Sequence, residues 1–263
     1  MGRRLCLVAI LACAVAVTAQ AQSPRTAVEN RHAWLGYLGD HALAPGSRSS
    51  LHLETQVRRG DLGANSQQLL LRGGLTRTLS AGVRATGGYA FVRTYPYGEA
   101  PVRAAFPEHR LWQQLSLAHG AGPVSVTHRY RLEQRWIGIM GIVDPTQVAE
   151  WRNANRFRYM VRGSLPVSGR ANWPGHTYLA GSGELFTSFG GNVQLNVFDQ
   201  SRLGAVLGRQ VTPTLRLEAG YLQQYILKST GRDAERNHTL QILLLSRSEF
   251  RGTRPGIAAP LAS

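Results

Sequence analysis

The stretch His128-Arg-Tyr-Arg-Leu-Glu-Gln-Arg-Trp136 decides the fold of this chain. Successive side chains of a β-strand point to opposite faces, so residues two apart share a face. Read in this way, one face carries four charged residues: Arg129, Arg131, Glu133 and Arg135. The other face is mainly aromatic and apolar. Three guanidiniums and a carboxylate on one strand need partners on neighbouring strands or water, and the inside of a membrane barrel offers both.

The same alternation continues on both sides of this stretch. Candidate strands are Ala33–Gly39, Ser50–Arg58, Gln67–Thr78, Gly82–Arg93, Glu108–Ala118, Val124–Trp136, Arg156–Leu165, His176–Ser188, Gln200–Val211, Thr214–Leu227 and Asn237–Ser246. Most run to the ~10 residues that a tilted transmembrane strand needs, whereas soluble strands average roughly 5–6. The pattern predicts an all-β protein, an antiparallel transmembrane β-barrel of about 10–12 strands. An odd number would place the two ends at opposite rims, so ten or twelve is the expected count.

The connections between these strands alternate in length. Short turns are predicted at Leu79–Ala81, His119–Pro123 and Thr212–Pro213, and long loops at Thr94–Pro107, Ile137–Asn155, Phe189–Asp199 and Lys228–Arg236. Short turns on one rim and long extracellular loops on the other are typical of outer-membrane barrels. A secreted soluble barrel is the alternative, and it would bury Tyr130, Leu132 and Trp136 and expose the arginines. Strand length and loop asymmetry favour the membrane barrel.

Residues 1–21 have the pattern of a secretory signal peptide. Arg3 and Arg4 form a positive start, Leu5 to Val17 an apolar core, and Ala19-Gln20-Ala21 a small-residue cleavage site. Lipoprotein processing at Cys13 is the competing interpretation. Both cysteines, Cys6 and Cys13, lie in this segment, so a mature chain that begins at residue 22 has no disulfide. Residues 22–250 are predicted to form one barrel domain, and 251–263 a disordered tail.

The chain is strongly basic, with a formal net charge of +15 that falls to +13 without Arg3 and Arg4. Lys228 is the only lysine. Export, and arginines spread along alternating strands, argue against a nucleic-acid partner. The expected partners are outer-membrane lipids and small anionic solutes drawn into a positive lumen. The predicted location is the outer membrane of a Gram-negative bacterium, with the periplasm as the alternative.

Several segments together resemble one family of exported bacterial proteins. They are Glu108–Gln114, His128–Trp136, Arg156–Tyr159, Glu184, Phe198–Arg202 and Gly220-Tyr221, within a match from about Trp34 to Leu245. The family is catalogued as a domain of unknown function and consists of predicted outer-membrane β-barrels. The resemblance implies an exported barrel and brings no established activity or catalytic residue.

Charged residues of these segments share the strand parity expected for an inner face. The candidate lumen and binding residues are Arg110, Arg129, Arg131, Glu133, Arg135, Arg156, Arg158, Arg162, Glu184 and Arg202. Arg–Glu networks satisfy buried charge with forked hydrogen bonds, so these residues could simply plug and rigidify a narrow barrel. The excess of arginine over glutamate instead favours a positive constriction for anions. Both interpretations remain open at this point.

No catalytic or metal-binding motif stands out, so no catalytic residue, cofactor or metal is predicted. His109, His128, His176 and His238, with Ser116, Ser125, Ser182 and Ser188, could form the Ser–His pair of a lipid- or glycan-acting envelope enzyme. That alternative requires a histidine within about 3 Å of a serine or an acid on an accessible face. Aromatic residues near strand ends, among them Trp112, Trp136, Trp151, Tyr89 and Tyr159, are predicted to form interfacial girdles.

Overall fold

A computed structural model describes residues 26–99, 101–170, 173–193 and 195–250. The predicted signal peptide, its cleavage site, the alternative at Cys13 and the predicted tail 251–263 all lie outside these residues. Within them, no helix is long and apolar enough to cross a membrane.

The described chain consists almost entirely of long β-strands. Their bounds are β1 Thr26–Ala42, β2 Ser49–Gly60, β3 Asn65–Ser80, β4 Val83–Thr94, β5 Phe106–Ala121, β6 Val124–Met140, β7 Val148–Ser168, β8 Thr177–Phe189, β9 Phe198–Thr212, β10 Leu215–Leu227 and β11 Asp233–Glu249. All eleven predicted strands exist, and most are longer than predicted. A single 3₁₀ turn, Asp61–Gly63, connects β2 to β3.

The eleven strands close into one barrel in sequence order, which confirms the predicted fold class. Neighbouring strands are antiparallel except at one seam, where β1 and β11 pair in parallel from Thr26↔Asp233 to Ala42↔Glu249. The count lies within the predicted range of about 10–12 strands, but the narrower expectation of an even count, ten or twelve, was wrong. It assumed that both ends of the barrel return to the same rim, but an odd number of up-and-down strands can close only through a parallel pair.

The connections fall at two rims. Among the described residues, the short-turn rim holds 43–48, 81–82, 122–123, 169–170 with 173–176, and 213–214. The long-loop rim holds 61–64, 95–99 with 101–105, 141–147, 190–193 with 195–197, and 228–232. The predicted asymmetry is present, although 61–64 is short and 169–176 is long for its rim. Because the seam is parallel, β1 starts at the long-loop rim and β11 ends at the short-turn rim.

The alternation of side chains places charge inside the barrel and apolar groups outside. On β6, Arg131 and Glu133 are 3% and 0% exposed and face the lumen. Leu132 lies on the outer wall beside Tyr130 and Phe157. This is the inverse of the arrangement expected for a soluble barrel.

Trp112 departs from the predicted interfacial girdle, because it is 1% exposed and faces the lumen. Room for its indole ring comes from Gly74 on β3, where a Cβ atom would lie 2.9 Å from the Trp112 ring and 2.6 Å from the carbonyl oxygen of Gly87. Parity alone already placed Trp112 with Arg110 on one face, so the girdle assignment conflicted with the alternation of its own strand.

Candidate functional site: the charged lumen

All ten predicted lumen residues lie on the inner face of the barrel. Nine of them line one cavity of about 460 Å³: Arg110, Arg129, Arg131, Arg135, Arg156, Arg158, Arg162, Glu184 and Arg202. The tenth, Glu133, is fully buried against the same arginines. A separate cavity of about 820 Å³ opens at the short-turn rim, lined by Ser116, Thr127 and other residues.

Glu133 is the centre of the largest ion-pair group, here called the Glu133 cluster. Its carboxylate lies within 4.0 Å of the guanidinium nitrogens of five arginines: Arg72, Arg110, Arg131, Arg156 and Arg158. The shortest contacts are 2.7 Å from Arg156 Nη2 and 2.8 Å from Arg158 Nη1. One carboxylate is therefore the shared counterion of five arginines. These arginines lie on strands β3, β5, β6 and β7, so their ion pairs link four strands across the lumen.

Two further glutamates extend this network. Glu184 accepts hydrogen bonds from Arg129 at 2.7 Å and from Arg158 at 2.8 Å. Glu108 accepts from Arg110 at 2.7 Å and from Arg135 at 2.5 Å. Forked, charge-assisted hydrogen bonds of this kind hold both partners in place.

Aromatic rings are packed between the arginines. The guanidinium carbons of Arg72 and Arg131 lie 5.4 and 5.0 Å from the centre of the Trp112 ring. Arg158 lies 4.4 Å from the Phe186 ring. Such cation–π contacts stabilise guanidinium groups that water no longer reaches.

Some lumen arginines are held by glutamine instead of glutamate. Arg58 donates to Gln56 at 3.0 and 2.7 Å and to Gln68 at 2.6 Å. Arg131 donates to Gln114 at 2.9 and 2.5 Å.

Arg202 follows the same pattern. When the Gln200 carboxamide is oriented to satisfy its surroundings, its oxygen accepts from Arg202 Nε at 2.5 Å and Nη2 at 3.0 Å. A neutral amide orients a guanidinium without cancelling its charge.

Arg58 and Arg202 meet at one aromatic ring. Their guanidinium carbons lie 4.1 and 5.2 Å from the centre of the Trp34 ring. The nearest carboxylate contact of Arg202 is 3.9 Å, to Glu184. We call Trp34, Arg58, Arg202, Gln56 and Gln200 the Trp34 cluster; it contains two cations and no carboxylate.

The loop between β4 and β5 covers part of the lumen at the long-loop rim. The Tyr97 hydroxyl donates to Glu235 at 3.2 Å, and its ring meets His32 edge-on at 5.4 Å. Burial and the neighbouring Glu235 carboxylate raise the pKa of Tyr97 above its usual value, so the phenol stays protonated and can keep donating. Lys228 pairs with the same Glu235.

The histidines considered for an envelope enzyme do not meet the serines considered with them. On the outer face, His109, His128 and His238 bond the hydroxyls of Tyr89, Tyr159 and Tyr221. His176 Nδ1 lies 3.1 Å from the carbonyl oxygen of Ser168. Ser116, Ser182 and Ser188 face the lumen, on the opposite side of the wall from the three tyrosine-bonded histidines.

Two other histidines lie within about 3 Å of a serine or an acid, the distance that the enzyme alternative requires. On the outer wall, His41 Nδ1 lies 2.6 Å from Ser248 Oγ, and His41 Nε2 lies 2.7 Å from the Tyr37 hydroxyl. In the lumen, His52 Nδ1 lies 3.0 Å from Asp40 Oδ1. His41 is oriented by a phenol where a hydrolase would use a carboxylate. In the described part of the chain, no group of three or more His, Cys, Asp or Glu side chains could hold a metal ion.

Several residues of the site are not among the residues predicted from the sequence. The cations are Arg58 and Arg72, and the rings are Trp34 and Phe186. The carboxylates are Glu108 and Glu54, which pairs with Arg72 and lines the same cavity. Period-two parity could have found Arg58 and Arg72 because they lie on the charged faces of β2 and β3. The pairing of each arginine with glutamate or glutamine depends on strand register, which no single strand reveals.

These features define a closed, eleven-stranded β-barrel with an arginine-rich lumen. The chain belongs to the family described as a protein of unknown function, DUF2490, whose model matches residues 31–235. The resemblance seen in the sequence is thereby confirmed. No curated protein and no solved structure matches the chain.

Proposed function

We propose that this protein is an outer-membrane β-barrel whose lumen binds small anionic solutes. The proposal has two parts, the location of the barrel and the chemistry of its interior, and different observations support them.

The outer wall supports the membrane location. Ten of the eleven strands expose at least one large apolar side chain, such as Leu53, Leu111, Leu203 and Ile242, which are 37%, 47%, 62% and 48% exposed, and β4 exposes Tyr89. An apolar surface that encircles a protein is unfavourable in water and favourable against lipid. The predicted signal peptide supplies the export that this location requires.

The arginines held by glutamine support the second part of the proposal, the binding of anions in the lumen. The 460 Å³ cavity is lined by ten arginines and Lys228 against six carboxylates, with Glu133 buried beside them. In addition, Nη1 of Arg131 is buried without a hydrogen-bond partner, because the nearest Glu133 oxygen lies 3.9 Å from it. A buried cation is costly unless an anion neutralises it. Arg58, Arg131 and Arg202 donate hydrogen bonds to neutral amides and to no carboxylate of the described residues, since the nearest carboxylate oxygens lie 3.9 Å away, on Glu133 from Arg131 and on Glu184 from Arg202. These arginines can therefore still pair with a soluble anion.

The location can be tested by fractionation and gel migration. A C-terminally tagged chain expressed in a Gram-negative host should appear in the outer-membrane fraction. It should also migrate faster in unheated than in heated samples, as closed barrels do. Recovery of folded protein in the periplasmic soluble fraction would contradict the membrane location.

Anion binding can be tested by calorimetric titration of the folded barrel in nonionic detergent with inorganic phosphate and with acetate. We expect affinity to fall at least tenfold in the triple variant Arg58→Gln/Arg131→Gln/Arg202→Gln, because the anion loses the arginines that donate no hydrogen bond to a carboxylate. Arg236→Gln is the matched control, since Arg236 pairs with Glu29 at 3.0 Å on the outer wall. Equal affinity in the triple variant and the control would contradict lumen binding.

A further inference from the structure

The lumen contains an apolar surface that neither a water-filled pore nor an ion-pair plug requires. Leu38, Leu222, Leu243 and Leu245 line the same cavity as the arginines. Leu243 and Leu245 follow each other on the inner face of β11, and Leu38 is the register partner of Leu245 across the β1–β11 seam. We call these four residues the leucine patch.

The leucine patch is only partly covered by the protein. Leu222 is 7% exposed, but Leu38, Leu243 and Leu245 are half-buried. The lumen of a transmembrane barrel is ordinarily polar, and apolar surface left in a wet cavity is unfavourable by roughly 25 cal/mol per Å². The sequence carries the same signal, because Ile242-Leu243-Leu244-Leu245 interrupts the alternation and makes both faces of β11 apolar.

The leucine patch begins close to the Trp34 cluster. On β1, the inner-face residues Trp34, Gly36 and Leu38 are paired in register with Gln241, Leu243 and Leu245. At a rise of about 3.3 Å per residue, Leu243 lies about 7 Å and Leu245 about 13 Å along the strand from the register partner of Trp34, Gln241. An anionic group beside Arg58 and Arg202 can therefore belong to a molecule whose body lies on Leu243 and Leu245.

We infer that the anion of this lumen is an amphipathic organic acid, with a carboxylate at the Trp34 cluster and an aliphatic or aromatic body on the leucine patch. This inference rests on the proposed anion binding and adds to it the chemical class of the ligand. Small inorganic anions would use the arginines alone and leave the leucine patch wet.

Three matched probes separate the contributions of charge and apolar body. Phenylacetate carries both, acetate carries only the carboxylate, and 2-phenylethanol carries the ring with a neutral hydroxyl. Each is titrated into the folded full-length mature barrel in nonionic detergent. We expect phenylacetate to bind at least tenfold more tightly than acetate, and 2-phenylethanol to bind at least tenfold more weakly than phenylacetate.

Substitutions test which residues bind the apolar body of the ligand and which bind its carboxylate. Leu243→Gln should reduce the affinity for phenylacetate to that for acetate and leave acetate unchanged. Arg202→Gln should weaken both acids. Thr127→Gln, in the separate cavity at the short-turn rim, is the control and should change neither. Heat-modifiable migration verifies that each variant is folded, and the comparison of the three probes on the unaltered chain needs no variant.

The outcomes distinguish this inference from the proposed function. Equal affinity for phenylacetate and acetate would overturn the amphipathic ligand and leave anion binding intact. Equal affinity for phenylacetate and 2-phenylethanol would overturn it as well, because the arginines would then contribute nothing. Absence of binding by all three probes and by inorganic phosphate would overturn both.

Discussion

The Glu133 cluster and the Trp34 cluster bury the same cation in two different ways. In the first, five arginines share a fully buried carboxylate, and two of them pair with a second one, Arg158 with Glu184 and Arg110 with Glu108. In the second, Arg58 and Arg202 stack on Trp34 and are oriented by glutamines. A guanidinium paired with a carboxylate joins strands together, whereas one held by a neutral amide has a charge that its partner does not cancel. Under the proposed function, the two arrangements correspond to the two interpretations of the sequence, a plug and a positive binding site.

The largest effect is expected from removing the shared carboxylate. Glu133→Gln leaves five buried cations without their common counterion, and breaking buried ion pairs in this way costs about 3–5 kcal/mol. The free energy of unfolding, measured by urea titration with tryptophan fluorescence, should fall by that amount. Glu29→Gln is the control, because Glu29 is 60% exposed and pairs with Arg236 on the outer wall, where such pairs contribute roughly 0–1 kcal/mol. Equal losses in the two variants would remove the distinction between the clusters.

The second prediction concerns a variant in which an amide of the Trp34 cluster is replaced by a carboxylate, as in the Glu133 cluster. Gln200→Glu places a carboxylate against Arg202 and neutralises it in the same geometry. Affinity for acetate should fall about tenfold, or about 1.4 kcal/mol, while the barrel remains folded. Calorimetric titration measures the change, and Gln113→Glu on the outer side of β5 provides a variant with the same charge change away from the lumen. Undiminished acetate binding in Gln200→Glu would contradict a ligand role for Arg202.

A smaller effect is expected on stability when an amide-held arginine is removed. Arg202→Gln deletes a buried cation that has no carboxylate within hydrogen-bond distance. The change in unfolding free energy should therefore stay within about 1 kcal/mol, in contrast to Glu133→Gln. The same urea titration measures it. A loss as large as that of Glu133→Gln would mean that the Trp34 cluster also serves mainly to join strands.

The last prediction concerns a single hydrogen bond on the outer wall. Ser248→Ala removes one hydrogen bond to His41 and should lower the unfolding free energy by about 0.5–1.5 kcal/mol. No release of fatty acid from phospholipid vesicles is expected from the parent or the variant, because the imidazole lacks an orienting carboxylate. Release by the parent that disappears in both His41→Ala and Ser248→Ala would favour the wall enzyme over a binding barrel.

The alternation of side chains predicted the barrel and the inner face of all ten candidate residues because it is a property of each strand alone. The register between strands is not a property of one strand. Glu133 on β6 contacts Arg72 on β3 only when the strands between them have paired. The odd strand count and the parallel seam could not be predicted either. The partner of β1 is β11, the last strand of the chain, and no local pattern reveals that pairing. The leucine patch could have been predicted from the sequence, because the run Ile242–Leu245 interrupts the alternation of apolar and polar residues.

The parallel seam also has a kinetic consequence. Every other ladder joins strands that follow one another in the chain, but the seam joins residues such as Asn30 and Asn237, which are 207 positions apart. Closing so long a loop loses the most chain entropy and brings together the most distant contacts, which slows folding. The seam is therefore the step that completes the barrel, and the 2.9 Å hydrogen bond between the Asn30 and Asn237 side chains forms only when it closes. The leucine patch spans this same seam through Leu38 and Leu245, so the apolar part of the lumen is completed last.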